Sequence, residues 1–138
     1  MTENELSAVL VDVCVEVHKK LGPGLLESVY ESILVYELNR RGILTGRQVS
    51  MPLIWDGVVF EDSFRADIVL EKKVIVELKV QDQIHPVNLM QVLTYLRVSG
   101  YKLGMLVNFG CKTMKEGIRR VANDMPEDET LFVSELST

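Results

Sequence analysis

The sequence has little cysteine, and no pair of cysteines at metal-ligand spacing. Cys14 lies in an apolar helical run and Cys111 follows a strand, so two reduced thiols in an intracellular protein are expected. It also lacks an apolar run long enough to span a bilayer, because Asp12 and Glu16 interrupt the N-terminal one. That N-terminus, "MTENELSAVLVDV", carries acids where a secretory leader would carry bases. A cytoplasmic protein with no membrane association is the expectation. Repeats and low-complexity linkers are absent too. With 138 residues, 47% of them apolar and 25% charged, the chain suits one domain with one core.

An excess of positive charge is also missing. The net charge is −5, which on its face disfavours a polyanionic partner. Its distribution softens that reading. Residues 124–138 hold five acids and no base, which leaves 15 acids against 15 bases in residues 1–123. The expected division is therefore a domain over 1–123 and an acidic C-terminal segment over 124–138 with a last extended stretch, "LFVSEL". The bases cluster at Lys19-Lys20, Arg40-Arg41 with Arg47, Lys72-Lys73, and Lys112, Lys115, Arg119-Arg120. Each cluster reads most simply as solvated surface.

Leu6, Val9, Leu10, Val13 and Val17 recur at helical spacing over 3–21, and "GPG" at 22–24 stops that helix. A second helix is expected over about 24–40, burying Leu26, Val29, Tyr30, Ile33 and Leu38. The period then changes. "RQVSMPLIW" reads as a strand and Asp56-Gly57 as a hairpin turn. "VVFEDSFRADIVL" follows as one long strand, or two broken near Asp62-Ser63. "VIVELKV" is the next strand. "HPVNLMQVLTYLRVSG" is a helix with Pro86 in its first turn and Gly100 at its end. "YKLGMLVNFG" is a buried strand, and 112–122 is expected to form a short helix. The order is ααβββαβ: an α/β domain whose mixed sheet is flanked by helices.

The strand "KKVIVELKV" poses a question, because Glu77 and Lys79 interrupt an otherwise buried pattern. If Glu71, Lys72 and Lys73 form the preceding loop, Leu70 faces Val74 and Asp67 faces Glu77, with Cβ atoms roughly 5 Å apart. A two-residue loop would misalign the pair. Outside the loop the even positions Ala66, Ile68, Leu70, Val74, Val76 and Leu78 are then all apolar, and the opposite face carries Glu77 and Lys79 at one end. Two carboxylates this close resist joint ionisation. A divalent cation relieves that repulsion, and the pair with the Leu78 backbone carbonyl makes a hard-oxygen donor set for Mg²⁺. Lys79 would stand beside it, able to orient a water or neutralise a phosphoryl oxygen. The structural alternative is a solvated edge hairpin with Lys79 paired to a carboxylate.

Asp67 followed by Glu77-Leu78-Lys79 resembles the PD-(D/E)XK nuclease superfamily. Gly24-Leu25-Leu26-Glu27-Ser28-Val29-Tyr30 resembles the name-giving signature of its small GxxExxY family. "QVLTYLRVSGYKLGMLVNFG" looks like that family's third block, with Gln91 and Tyr95 as a Q-x-x-x-Y element. The resemblance covers residues 5 to 122 and departs from the pattern where Arg65-Ala66, with no proline, precedes Asp67. It implies a restriction-endonuclease-like core. It further implies Mg²⁺ or Mn²⁺ on Asp67 and Glu77, Lys79 beside the attacking water, and Glu27 reaching the metal directly or through water. Gln91 and Tyr95 would point towards the scissile phosphate, with His18 and Arg65 as secondary candidates. The implied activity is metal-dependent phosphodiester hydrolysis, with DNA the favoured substrate. A non-catalytic nucleic-acid- or protein-binding module on the same fold, or hydrolysis of RNA or another phosphoester, are the alternatives. The neutral body leaves room for a second copy or a partner protein to supply positive surface, and for the acidic segment to mask the site.

Overall fold

The computed structural model describes residues 1–124. The segment expected to hold a last strand and to mask the site lies outside them, apart from Asp124. Helix α1 spans Glu3–Leu21 and opens with a reciprocal cap between Thr2 and Glu5. Helix α2 spans Glu27–Arg40. Strands β1 (Thr45–Trp55), β2 (Val58–Leu70) and β3 (Val74–Lys79) follow, then helix α3 (Pro86–Ser99) and strand β4 (Leu103–Asn108). A single helical turn, α4 (Met114–Gly117), leads into β5 (Ile118–Ala122). The five strands lie in chain order across one mixed sheet, with β3 and β4 parallel and all other neighbours antiparallel. The crossover between the parallel pair is α3.

Helices α1 and α2 pack on one face against Ile68, Leu70, Val74, Val76 and Leu78. On the other, α3 packs through Val92 and Leu96 against Val69, Ile75 and Leu106. Strand β3 is therefore covered on both sides. By alternation, Glu77 and Lys79 share the α3 side with Ile75. No helix among the described residues is long and apolar enough to cross a membrane.

Several expectations are corrected. Residues 112–122 form one helical turn and a fifth strand, not a helix alone. The alternation in "IRRVA" is disguised by charge, because Arg120 is buried and donates to Ser7; that arginine is no part of a solvated surface. Helix α2 begins at Glu27, and Leu26 and Val29 are exposed. Its buried stripe is Tyr30, Glu31, Leu34 and Leu38. The cause is Tyr30, whose hydroxyl donates to the Gly22 carbonyl and accepts from the Leu25 N–H at 3.2 Å. That fastening holds 22–26 as a loop and sets the helix's rotation. Ala66 joins the α3-side cluster rather than the side of Ile68. Across from that stretch, Gln48 takes a left-handed φ of 50°, and strict alternation fails there.

The hairpin reading holds at both turns. Asp56 and Gly57 both have positive φ, as a type I′ turn requires. Strand β2 is continuous, with Asp62 at φ 55° and a register shift between Met51 and Leu53 on its partner. Beyond that shift Ile54, Trp55, Val58 and Val59 are each more than half exposed.

The parallel pair ends in a tight crossing. A Cβ on Gly110 would overlap the backbone of Gln81, and backbone cannot swing aside as a side chain can. Gly110→Ala is expected to cost at least about 1–3 kcal/mol, read as a lower denaturation midpoint. An unchanged midpoint would show that the crossing is slack.

Candidate active site

The β2–β3 ladder holds the register of a three-residue loop: Leu70 faces Val74, Val69 faces Ile75 and Ile68 faces Val76. It then opens. Beyond Val76, β3 pairs only with β4. The Leu78 N–H freed by the opening needs an acceptor, and so does the Asp67 N–H, which faces β1 where Gln48 breaks the pairing; the two carboxylates supply them. The Leu78 N–H donates to Asp67 Oδ2 at 2.8 Å, and the Asp67 N–H donates to Glu77 Oε1 at 3.1 Å. Asp67 and Glu77 are thus drawn into the gap between diverging strands.

Burial is the main influence on both. It raises the Asp67 carboxyl, against lowering by the Leu78 N–H, Gln48 and Lys79. Glu77, only 5% exposed, is pushed up to about 8 by burial first and by Asp67 second. Glu27, in the first turn of α2, is also raised by burial and then by Asp67, while Lys79 lowers it. Tyr95 is raised by burial and then by Glu77 and Asp67, and the Gln91 side chain hydrogen-bonds to it. Phe64 stacks on Tyr95 at 4.0 Å.

The structure therefore gathers Glu27, Asp67, Glu77, Lys79, Gln91 and Tyr95 around one opening. Helix α2 approaches it from one side of the sheet and α3 from the other. His18 belongs elsewhere: its Nε2 lies 2.9 Å from the Cys111 carbonyl oxygen. Arg65 is exposed on β2 opposite Ser50.

Two participants escape a reading of motifs. Glu31 is buried, and it accepts from Gln48 Nε2 at 2.6 Å and pairs with Arg47 Nε at 3.3 Å. Gln48 also donates to Asp67 Oδ1 at 3.3 Å, which makes its amide a bridge between the two acids. The signal for Glu31 was its place four residues after Glu27 on one helix face. Gln48 had no signal, because its left-handed backbone is set by the fold.

A cation fits this donor set. Two hard carboxylate oxygens meet in a poorly solvated gap where they repel. The Lys79 carbonyl bonds to the Phe109 N–H of the β4 side. Neighbouring strand carbonyls point in opposite directions, so the Leu78 carbonyl turns towards Asp67. Among the described residues, no group of three or more His, Cys, Asp or Glu converges on one point. The protein would thus supply two carboxylates and a carbonyl, leaving other positions to water or ligand, as suits Mg²⁺.

Residues 4–121 match the family model of the PD-(D/E)XK nuclease superfamily. A solved crystal structure of a protein called SSO0001 is similar over 80% of this chain and 57% of its own, with a TM-score of 0.51 and 18% identity. That likeness is one of fold. No curated protein matches the chain.

The raised Glu77 has a consequence for stability. Its ordinary value of 4.5 becomes about 8 on folding, so between those values the folded state binds more protons than the unfolded chain. Stability is then full below about 4.5 and falls as pH rises towards 8. Metal-free protein should melt at progressively lower temperature across that window, and Glu77→Gln should flatten the fall. An equally steep fall in the variant would refute this assignment.

Proposed function

The chain belongs to the PD-(D/E)XK nuclease superfamily, and we propose that it is a divalent-metal-dependent phosphodiester hydrolase acting on DNA. Within the superfamily we place it in the GxxExxY family. The support for that is the role of the signature residues, with Tyr30 fastening the loop that brings Glu27 to the opening. The observation that carries the functional reading is the meeting of Asp67 and Glu77 where β2 and β3 part, with Lys79 on the same strand face.

Asp67, Glu77 and the Leu78 carbonyl would hold Mg²⁺ or Mn²⁺, which supplies Lewis acidity towards a phosphoryl oxygen and acidifies water. The remaining work falls to the side chains. Gln48, braced by Glu31, holds Asp67 in place. Gln91 and Tyr95 offer an amide and a hydroxyl to the non-bridging oxygens, placing phosphorus in line with the attacking water. The Lys79 ammonium faces the charge that builds up as the new P–O bond forms and the ester P–O bond breaks. Glu27, with its carboxyl raised by burial, is suited to take the proton that the water loses.

Purified protein with Mg²⁺ or Mn²⁺ should cut DNA, and Lys79→Ala should lower the rate by about 10²–10⁴. A panel of single- and double-stranded DNA and RNA checks this. A wild-type protein no more active than Lys79→Ala on every member would contradict the proposal and favour a binding module.

A further inference from the structure

A second feature opens at the same end of the sheet. Between the last turn of α1 and the connection from β4 to α4 lies a cavity of about 400 Å³. His18, Lys19, Gly22, Pro23, Lys112 and Thr113 line it, and no carboxylate does. We propose that this cavity is a subsite for a backbone phosphate of the nucleic acid, flanking the scissile bond. The proposal rests on the nuclease reading above and adds where the substrate strand runs.

Three observations carry it. The first is charge. Lys20, Arg40, Arg41 and Arg47 are each within ion-pair distance of a glutamate. Lys19 and Lys112 have no such partner among the described residues, so their charges are available to an anion. In a body whose charges otherwise balance, two unneutralised ammonium groups on one acid-free cavity form a local positive site.

The second is construction. The contact between His18 Nε2 and the Cys111 carbonyl at 2.9 Å ties α1 to the end of β4. Lys19 and Lys112 are the residues next in sequence to those two, so this one contact brings both to the same cavity. His18 also stacks towards Phe109, with ring centroids 6.3 Å apart, and Phe109 stacks flat on Tyr30 at 4.3 Å. The histidine is thus a positioning residue for the cavity, not a member of the carboxylate cluster.

The third is placement. Gly22 and Pro23 form one wall, and the loop they begin ends at Glu27. Phe109, against which the lining residue His18 stacks, donates its N–H to the Lys79 carbonyl at 2.9 Å. The cavity and the carboxylate opening are therefore neighbours across one short loop. A strand whose scissile phosphate lies at Lys79 can cross that loop and set an adjoining phosphate between the two lysines. Lysine contacts of this kind follow the backbone and carry no sequence information.

Lys19→Ala/Lys112→Ala tests the proposal by fluorescence anisotropy with a labelled DNA oligonucleotide, single-stranded and duplex, across a range of salt. Both side chains are exposed, so an unchanged melting temperature is expected and separates binding from folding. The double variant should bind at least tenfold more weakly, and its slope of log affinity against log salt should be shallower by about 0.7–0.9, for one phosphate no longer neutralised. Lys72→Ala/Lys73→Ala, two charges removed at the other end of β3, should leave affinity within twofold. Equal losses in both double variants would mean diffuse attraction and overturn the subsite. Inorganic phosphate binding that depends on Lys19 and Lys112, with oligonucleotide affinity unchanged, would assign the cavity to a free anion and also overturn it. Unaltered affinity alongside cleavage that requires Lys79 would remove the subsite and leave the nuclease reading intact. A wild-type protein that binds no oligonucleotide would remove both.

Discussion

The organisation of this protein turns on the point where β2 and β3 part. A ladder that closed fully would bury Asp67 and Glu77 against each other with nothing to offset their repulsion. Opening after Ile68 and Val76 frees the Leu78 N–H, which Asp67 accepts, and Glu77 accepts the Asp67 N–H left without a partner opposite Gln48. The acids cap the frayed ladder, and the fraying makes room for the acids. Each explains the other, and the result is a pair of buried carboxylates drawn together where the two strands part.

The surrounding structure brings further groups to that gap. From one side, Tyr30 lies flat on Phe109 and bonds to both ends of the 22–25 turn, which delivers Glu27 at the start of α2. From the other, buried Asn108 holds Gln81 through both its amide atoms, and Gln81 in turn donates to Asn88. That chain links the end of β3 to the first turn of α3, and hence to Gln91 and Tyr95. The residues just past the parallel strands thus set the distance between the two helices across the site. In α/β sheets generally, strand ends are where chemistry gathers, because loops there are free to carry it while the strands stay rigid.

Much of this was legible in the sequence. The parity of "RADIVLEKKVIVELK" placed Asp67 opposite Glu77, and the observed register agrees as far as the ladder runs. Pro86 and Gly100 marked the ends of α3, because one lacks the N–H a helix start can spare and the other accepts a left-handed φ. What stayed hidden depended on tertiary structure. Strand β5 was masked because a buried arginine reads as a surface one until its cover is known. The rotation of α2 was misjudged because a hydrogen bond from Tyr30 to a loop overrode apolar periodicity. Gln48 was invisible because nothing in a glutamine's neighbours announces a positive φ. Sequence patterns report what each segment buries; they do not report how one segment turns another.

The central claim is that Asp67 and Glu77 form one cation site. Anomalous diffraction from a crystal soaked in Mn²⁺ addresses it most directly. The account predicts a single strong peak between the two carboxylates, adjoining the Leu78 carbonyl and absent from Asp67→Asn crystals. A peak elsewhere, a peak that survives that substitution, or no peak at saturating Mn²⁺ would contradict it.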